Sequence, residues 1–209
     1  MTQRRKIVVE AIIPAVPETV WERSQTPELH LRWDIRFTYI RYLDQADDRG
    51  FRLMDYRTNI GLGIEVKGIG KYLQNNPPSH STFEFSSSDW KSIITQGRGI
   101  WQYDPVPGGT YFKTVYDYKV RYGVLGALID RLGFRALMQL ATEWGFETLR
   151  LWCQGDETAI ERRKSKRRFA RFFVSRLLGR SPALGCAISW LGTGQESESR
   201  ALKGMGGVS

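Results

Sequence analysis

Two histidines, His30 and His80, are the whole imidazole inventory of the chain, and neither stands at a metal-ligand spacing from other ligand types. A hydrolytic site needs a nucleophile beside a base, so histidine catalysis is nearly excluded and no metal site is implied. His30, near Trp33 and Asp34, reads as an exposed helix residue, with a place at a pocket mouth as the alternative, and His80 as a wet turn residue. Carboxylates are the remaining acid–base candidates, because an apolar setting raises their pKa. Asp34, Asp55 and Asp117 are the ones to inspect. Asp117 stands between Tyr116 and Tyr118, so strand alternation sends it to the opposite face, beside Lys119. Asp34 and Arg36 follow Trp33 and are expected to form a local ion pair that fixes a loop. Gly61-x-Gly63, Gly68-x-Gly70 and Gly97-x-Gly99 lie within or before strands, not between a strand and a helix, so no nucleotide or other cofactor is implied. Glycine at 97 and 99 reads as a bend in the sheet. Cys153 and Cys186 make no CxxC pair, which supports neither a disulfide framework nor a zinc ribbon.

The elements that must position these groups follow from the hydrophobic period. Ile7 to Ile13 is a β-branched run stopped by Pro14. Pro17-Glu18 and Thr26-Pro27-Glu28 each start a short helix, the second running to about Arg32 with Thr26 as N-cap. A period of two then covers Phe37 to Leu43, Phe51 to Thr58, Leu62 to Lys67, Thr82 to Ser86, Ser92 to Tyr103 and Thr110 to Val120, with turn residues between. Seven mostly antiparallel strands result. From Val124 to about Trp152 the period is helical, with Leu125, Leu128, Leu132, Leu137, Leu140, Trp144 and Leu151 close to one stripe. Gly133 marks a place for a break or kink. The fold class is therefore α+β, with a curved sheet wrapped around a long C-terminal helix and two short helices after the first strand. A single helix fills the inside of such a sheet incompletely, and the remaining space suits a ligand.

The segment Ile13-Pro14-Ala15-x-Pro17-Glu18-x-Val20-Trp21, together with Trp33-Asp34, Gly108-Gly109-Thr110 and Gly123-x-Leu125-Gly126-x-Leu128, resembles the START-like (SRPBCC) superfamily over about residues 5–153. That superfamily includes polyketide cyclases/dehydrases and coenzyme-Q-binding proteins. The resemblance implies a helix-grip fold and a cavity for an apolar molecule, its members variously binding lipids, hormones or quinones, or cyclising polyketides. Fold alone does not select among these. The 26 aromatic residues agree with a cavity wall, since rings with polar tips suit an apolar ligand carrying a few oxygens. Candidate cavity residues are Trp33, Tyr39, Tyr56, Trp101, Tyr103, Tyr116, Tyr118, Leu128, Leu132, Leu140 and Trp144. No catalytic residue is assigned. The expected function is binding or carriage of a small hydrophobic or lipid-like molecule, and the alternative is a cyclase or dehydratase using a buried carboxylate or tyrosine.

The net charge of +9 is concentrated in one place, because Glu161 to Arg180 holds nine Lys/Arg against one acid. Three regions follow: a ligand-binding domain over 1–155, a basic amphipathic helical extension over 156–180, and a tail over 181–209 that reads as disordered, within which 183–191 reads as a segment that docks transiently. Arg162, Arg163, Lys164, Lys166, Arg167, Arg168, Phe169, Phe172 and Phe173 are the candidate contacts of the extension with an anionic membrane surface or a partner, against the plainer reading of a solvated helix. A nucleic-acid role lacks any base-reading motif. No secretory segment or membrane-spanning run appears, so the expected location is cytoplasmic, with peripheral membrane attachment through 158–178.

Overall fold

The computed structural model describes residues 6–60 and 63–177. The expected tail 181–209, with its 183–191 segment, Cys186, Gly61 and Leu62 lie outside them. The chain divides into two compact units at Phe169/Ala170.

In the first unit, strand β1 (Ile7–Ile13) leads to helices α1 (Pro17–Gln25) and α2 (Pro27–Trp33). Both helices open on proline at a position whose N–H has no intrahelical partner, though Thr26 makes no side-chain cap. Six strands follow: β2 (Tyr39–Ala46), β3 (Arg52–Asn59), β4 (Glu65–Asn76), β5 (His80–Ser86), β6 (Ile94–Val106) and β7 (Gly109–Val120). They form one antiparallel seven-stranded sheet in the order β1-β7-β6-β5-β4-β3-β2. The expected fold class is the observed one.

The long helical segment comes in two pieces. Helix α3 (Gly123–Ile129) passes through a π-type turn (Asp130–Phe134) into α4 (Arg135–Cys153), which places the break at Gly133. The stripe that reaches the core is Phe134, Met138, Phe146 and Leu149, not the leucine row. Leu125, Leu128 and Leu132 are 61%, 49% and 75% exposed. A π-type turn holds an extra residue, about 100° of helical rotation, so one phase cannot describe both sides of it.

Phe146 carries the packing between α4 and the sheet, its ring stacked on Phe112 at 4.4 Å and edge-on to Trp33 at 6.2 Å. Gly145 lets Trp33 come this close, because a Cβ there would stand 3.2 Å from the indole. Helix α5 (Glu157–Arg163) belongs to the same body: Asp156 caps it by accepting from the Ala159 N–H at 3.0 Å, and Ile160 is 1% exposed. The first unit therefore extends past the expected boundary at 155. Helix α6 (Lys166–Leu177) is separate from α5, so the basic extension is two helices.

Candidate functional site

Strand alternation sends even residues of β7, β4, β3 and β2 and odd residues of β6 and β5 to the concave face. Helix α4 packs against β1, α2 and α5. Beyond its reach, rings line the concave face. They form a connected arc: Tyr56 meets Phe37 at 5.1 Å, Phe37 meets His30 at 5.6 Å, His30 meets Trp101 at 5.2 Å, Trp101 meets Phe83 at 5.8 Å, and Phe83 meets Phe85 at 6.2 Å. Glycine makes room for three of them. A Cβ at Gly97 would stand 2.2 Å from the Phe85 ring, at Gly99 2.4 Å from Phe83, and at Gly70 2.2 Å from Tyr56. The glycines expected to bend the sheet thus let rings lie flat across it.

A buried polar chain borders this arc. Asp34, 1% exposed, accepts from Arg36 Nε at 2.9 Å and Arg36 Nη2 at 2.6 Å, and His30 Nε2 lies 3.1 Å away. Arg36 Nη1 donates to Thr142 Oγ1 at 2.8 Å and to the Tyr116 hydroxyl at 3.3 Å. Thr142 donates onward to the Met138 carbonyl at 2.8 Å, and the Tyr116 hydroxyl lies 2.9 Å from Thr142 Oγ1 and 3.3 Å from the same carbonyl. The anticipated Asp34–Arg36 ion pair therefore exists, but it is a buried hub and not a loop clip. His30 corrects the expectation of an exposed residue: it is 5% exposed, stacked on Trp33 at 4.7 Å. A His at i and an Asp at i+4 on one helix face, with Trp at i+3, is the sequence signal for this.

Burial by itself would raise the Asp34 pKa, but the Arg36 guanidinium and hydrogen bonds from His30 and Arg36 outweigh it and hold the carboxyl well below the usual range. Burial also works against the Arg36 charge, and Asp34 more than restores it. Desolvation pushes the phenols of Tyr56, Tyr72, Tyr103, Tyr116 and Tyr118 above their ordinary value. They stay protonated and act as hydrogen-bond donors.

Burial works against the charged forms of Arg36, Tyr56 and Tyr72 alike. All three nevertheless keep accessible surface, the Arg36 side chain 15% of it. Strand alternation puts Tyr56 and Tyr72 on the concave face, so the surface they keep is on the inner side of the sheet. Among the described residues the Tyr72 hydroxyl, on the inner face of β4, meets no hydrogen-bond partner. Tyr72 is not among the residues expected from the sequence, although continuing the alternation of β4 through Gly68 and Gly70 puts it on the inner face.

The other expected cavity residues divide. Trp33, Trp101, Tyr103, Tyr116 and Tyr118 are buried on the inner side. Tyr103 is committed to Ser24 at 2.7 Å and Gln25 at 2.8 Å, and Tyr118 to Asp130 at 2.7 Å. Tyr39 is on the outer face, under the Arg57 guanidinium. Leu128 and Leu132 point outward, and Leu140 is half-buried. Trp144 faces α5, its ring 3.7 Å from the Arg163 guanidinium and 5.8 Å from Phe169. Asp117 is not free in solvent but pairs with Arg135 at 3.1 Å, and Asp55 pairs with Arg57 at 2.9 Å on the outer face. That outer face carries a groove of about 870 Å³ crossed by the row Lys71, Glu84, Arg98 and Asp117. Alternating charges suit a solvated surface and not an apolar ligand.

In the basic segment, Arg163 donates to Thr148 Oγ1 at 2.9 Å and Lys166 to the Asn59 carbonyl at 2.7 Å, so both serve the first unit's own packing. Arg162 pairs with Asp156 at 2.8 Å. Lys164, Arg167 and Arg168 are exposed or partly so, while Phe169, Phe172 and Phe173 are half-buried.

No family model matches the chain. It is similar to the uncharacterized membrane protein YndG of Bacillus subtilis (strain 168), with 36% identity over 174 residues, covering 81% of this chain. The chain spans about 62% of the length of that relative. Among the described residues no helix is long and apolar enough to cross a membrane. Solved structures with the same fold include TTHA0849 from Thermus thermophilus (TM-score 0.55, 17% identity, 73% of this chain and 99% of that one) and CV1439 from Chromobacterium violaceum (0.53, 14%, 71% and 96%). Ara h 8.0201 aligns with TM-score 0.51 at 10% identity over 73% of this chain and 99% of that one. Seven antiparallel strands curved over one long C-terminal helix, shared with these structures, make this chain a helix-grip protein.

Proposed function

We propose that the chain binds a small apolar molecule carrying one or more oxygen acceptors in the hollow bounded by the ring arc, Arg36, Tyr56 and Tyr72. The observation that carries this is the surface that Arg36, Tyr56 and Tyr72 keep, the two tyrosines on the concave face, together with an unpartnered Tyr72 hydroxyl. The START-like resemblance supports the same class of ligand. Acid–base catalysis is the weaker reading. Asp34 is held ionised with its lone pairs occupied, which makes it a poor acid and a poor base, and the neighbouring phenols are held protonated. Fluorescence titration with N-phenyl-1-naphthylamine tests the proposal. The folded protein will enhance its emission saturably at one site, and Gly68→Phe, whose Cβ would stand 3.0 Å from the Ser86 carbonyl and whose fold circular dichroism checks, will abolish this while Tyr39→Phe leaves it unchanged. A folded wild-type protein that excludes this probe removes the reading.

The name of the Bacillus relative supports a role at a membrane, and the exposed cations Arg167, Arg168 and Arg171 of α6 supply a contact for anionic headgroups, each worth roughly 1 kcal/mol near the surface. The full chain will sediment with phosphatidylglycerol-containing vesicles at low salt and less at high salt, because screening acts over about 10 Å at 0.1 M. Phe172→Ala with Phe173→Ala will weaken that binding at every salt concentration, since apolar insertion is not screened. Equal binding to neutral and anionic vesicles would contradict the cationic contact.

A further inference from the structure

A group of strongly exposed apolar side chains gathers at one place in the first unit. Val124 is 88% exposed, Leu125 61%, Leu128 49% and Leu132 75%, all on α3 and the π-type turn. At 100° per residue Val124, Leu125 and Leu128 span an arc of about 100° on α3, and Leu132 follows on the π-type turn. The opposite side of this segment carries Gly126 and Asp130, both buried. Gly126 is pressed to the backbone, where a Cβ would clash with the Arg121 carbonyl, and Asp130 accepts from Tyr118 at 2.7 Å and Arg135 at 3.1 Å. The segment is thus held firmly by its polar and small residues, with its leucines turned outward.

Beside it stands Trp90, 74% exposed, whose carbonyl accepts from the Tyr122 hydroxyl. Tyr122 is itself 48% exposed and holds φ at +67°, which turns the chain from β7 into α3. The one acid on the segment, Asp130, is buried, so the charge it shows to solvent is the cation of Arg131.

We infer that this α3 tip is a bilayer-docking surface, which seats Val124, Leu125, Leu128 and Leu132 among acyl chains with Trp90 and Tyr122 at the headgroup level and Arg131 on anionic lipid. A second copy of the chain fits less well, since a self-complementary interface would bring Arg131 and its symmetry mate onto one another's apolar patch with no exposed acid on the segment to meet them. The aromatic pair at the rim of an aliphatic patch is the distribution a membrane interface selects. This surface lies on a different element from α6, and it does not depend on the hollow being filled.

Flotation of the full chain on vesicles of equal parts phosphatidylcholine and phosphatidylglycerol tests it. Val124→Ser with Leu132→Ser alters only strongly exposed side chains, so the fold is retained and circular dichroism checks this. The partition coefficient is expected to fall about tenfold or more, at high salt as well as low. On binding, wild-type tryptophan emission will shift to the blue, and Trp90→Phe will remove most of that shift. If the double variant floats like the wild type, or if it instead loses a concentration-dependent dimer in sedimentation velocity while vesicle binding persists, the proposal is overturned. The naphthylamine titration reports on the hollow independently, so failure of either site is recognised separately.

Discussion

Asp34→Ala will lower the stability of the fold by about 3–5 kcal/mol, because it strands the Arg36 guanidinium in the interior without its counter-charge. The loss is compound: Arg36 forfeits bonds from Nε and Nη2, the Arg36 backbone N–H forfeits its acceptor at 3.0 Å, and His30 loses its partner. Urea unfolding measures it. Asp55→Ala, which breaks a half-exposed pair on the outer face, will leave the midpoint almost unmoved. The pH dependence has a definite sign. The folded-state pKa of Asp34 lies below its unfolded value of 3.8, so its contribution is fully present above that value and fades as pH falls through it towards the folded pKa. The gap between wild type and Asp34→Ala will therefore narrow below about pH 4. A constant gap through that window would mean that Asp34 is not the ionised hub of this cluster.

Gly99→Val will also destabilise, although valine is a better strand former than glycine. Its Cβ would stand 2.4 Å from the Phe83 ring, 2.6 Å from the Tyr116 Cβ and 2.9 Å from the Val115 carbonyl. The last two are tied to backbone and cannot swing away, so the cost of overpacking, about 1–3 kcal/mol, exceeds the gain in propensity. Gly133→Ala behaves oppositely. Nothing stands within 4 Å of a Cβ there, and relief of glycine's conformational freedom will add up to about 1 kcal/mol. Thermal unfolding of the two variants should move the midpoint in opposite directions, and a stabilised Gly99→Val would remove the argument that glycine is there to seat a ring.

The sheet is readable in the sequence because one face of most strands is wet: in β7 Phe112, Tyr116 and Tyr118 are buried while Lys113, Asp117 and Lys119 are not, and the alternation shows. The hollow is only partly readable. Tyr39 and Tyr56 look alike in the sequence, and their opposite faces depend on where β2 and β3 begin, which differs by a few residues from the expected starts. The helix misleads for a physical reason. A row of leucines ordinarily marks a core stripe, but here the leucines before the π-type turn face outward. Phe146 and Thr142 meet the sheet, and Gly145 meets Trp33 of α2. The i,i+4 spacing of His30 and Asp34 signals that they share a helix face, but their burial follows from the loop that brings Arg36 back between Asp34 and Tyr116.

The nine tyrosines sample the inside and the outside of the sheet, and their ring resonances give the most direct test of the hollow. In a titration of tyrosine-labelled protein with N-phenyl-1-naphthylamine, followed by carbon–proton correlation spectra and assigned by Tyr→Phe variants, Tyr56, Tyr72 and Tyr116 will shift together and saturate at one equivalent. Tyr39 and Tyr111 on the outer face will stay in place. Shifts confined to the outer tyrosines, or none at any of the three inner ones, would contradict a ligand site inside the sheet.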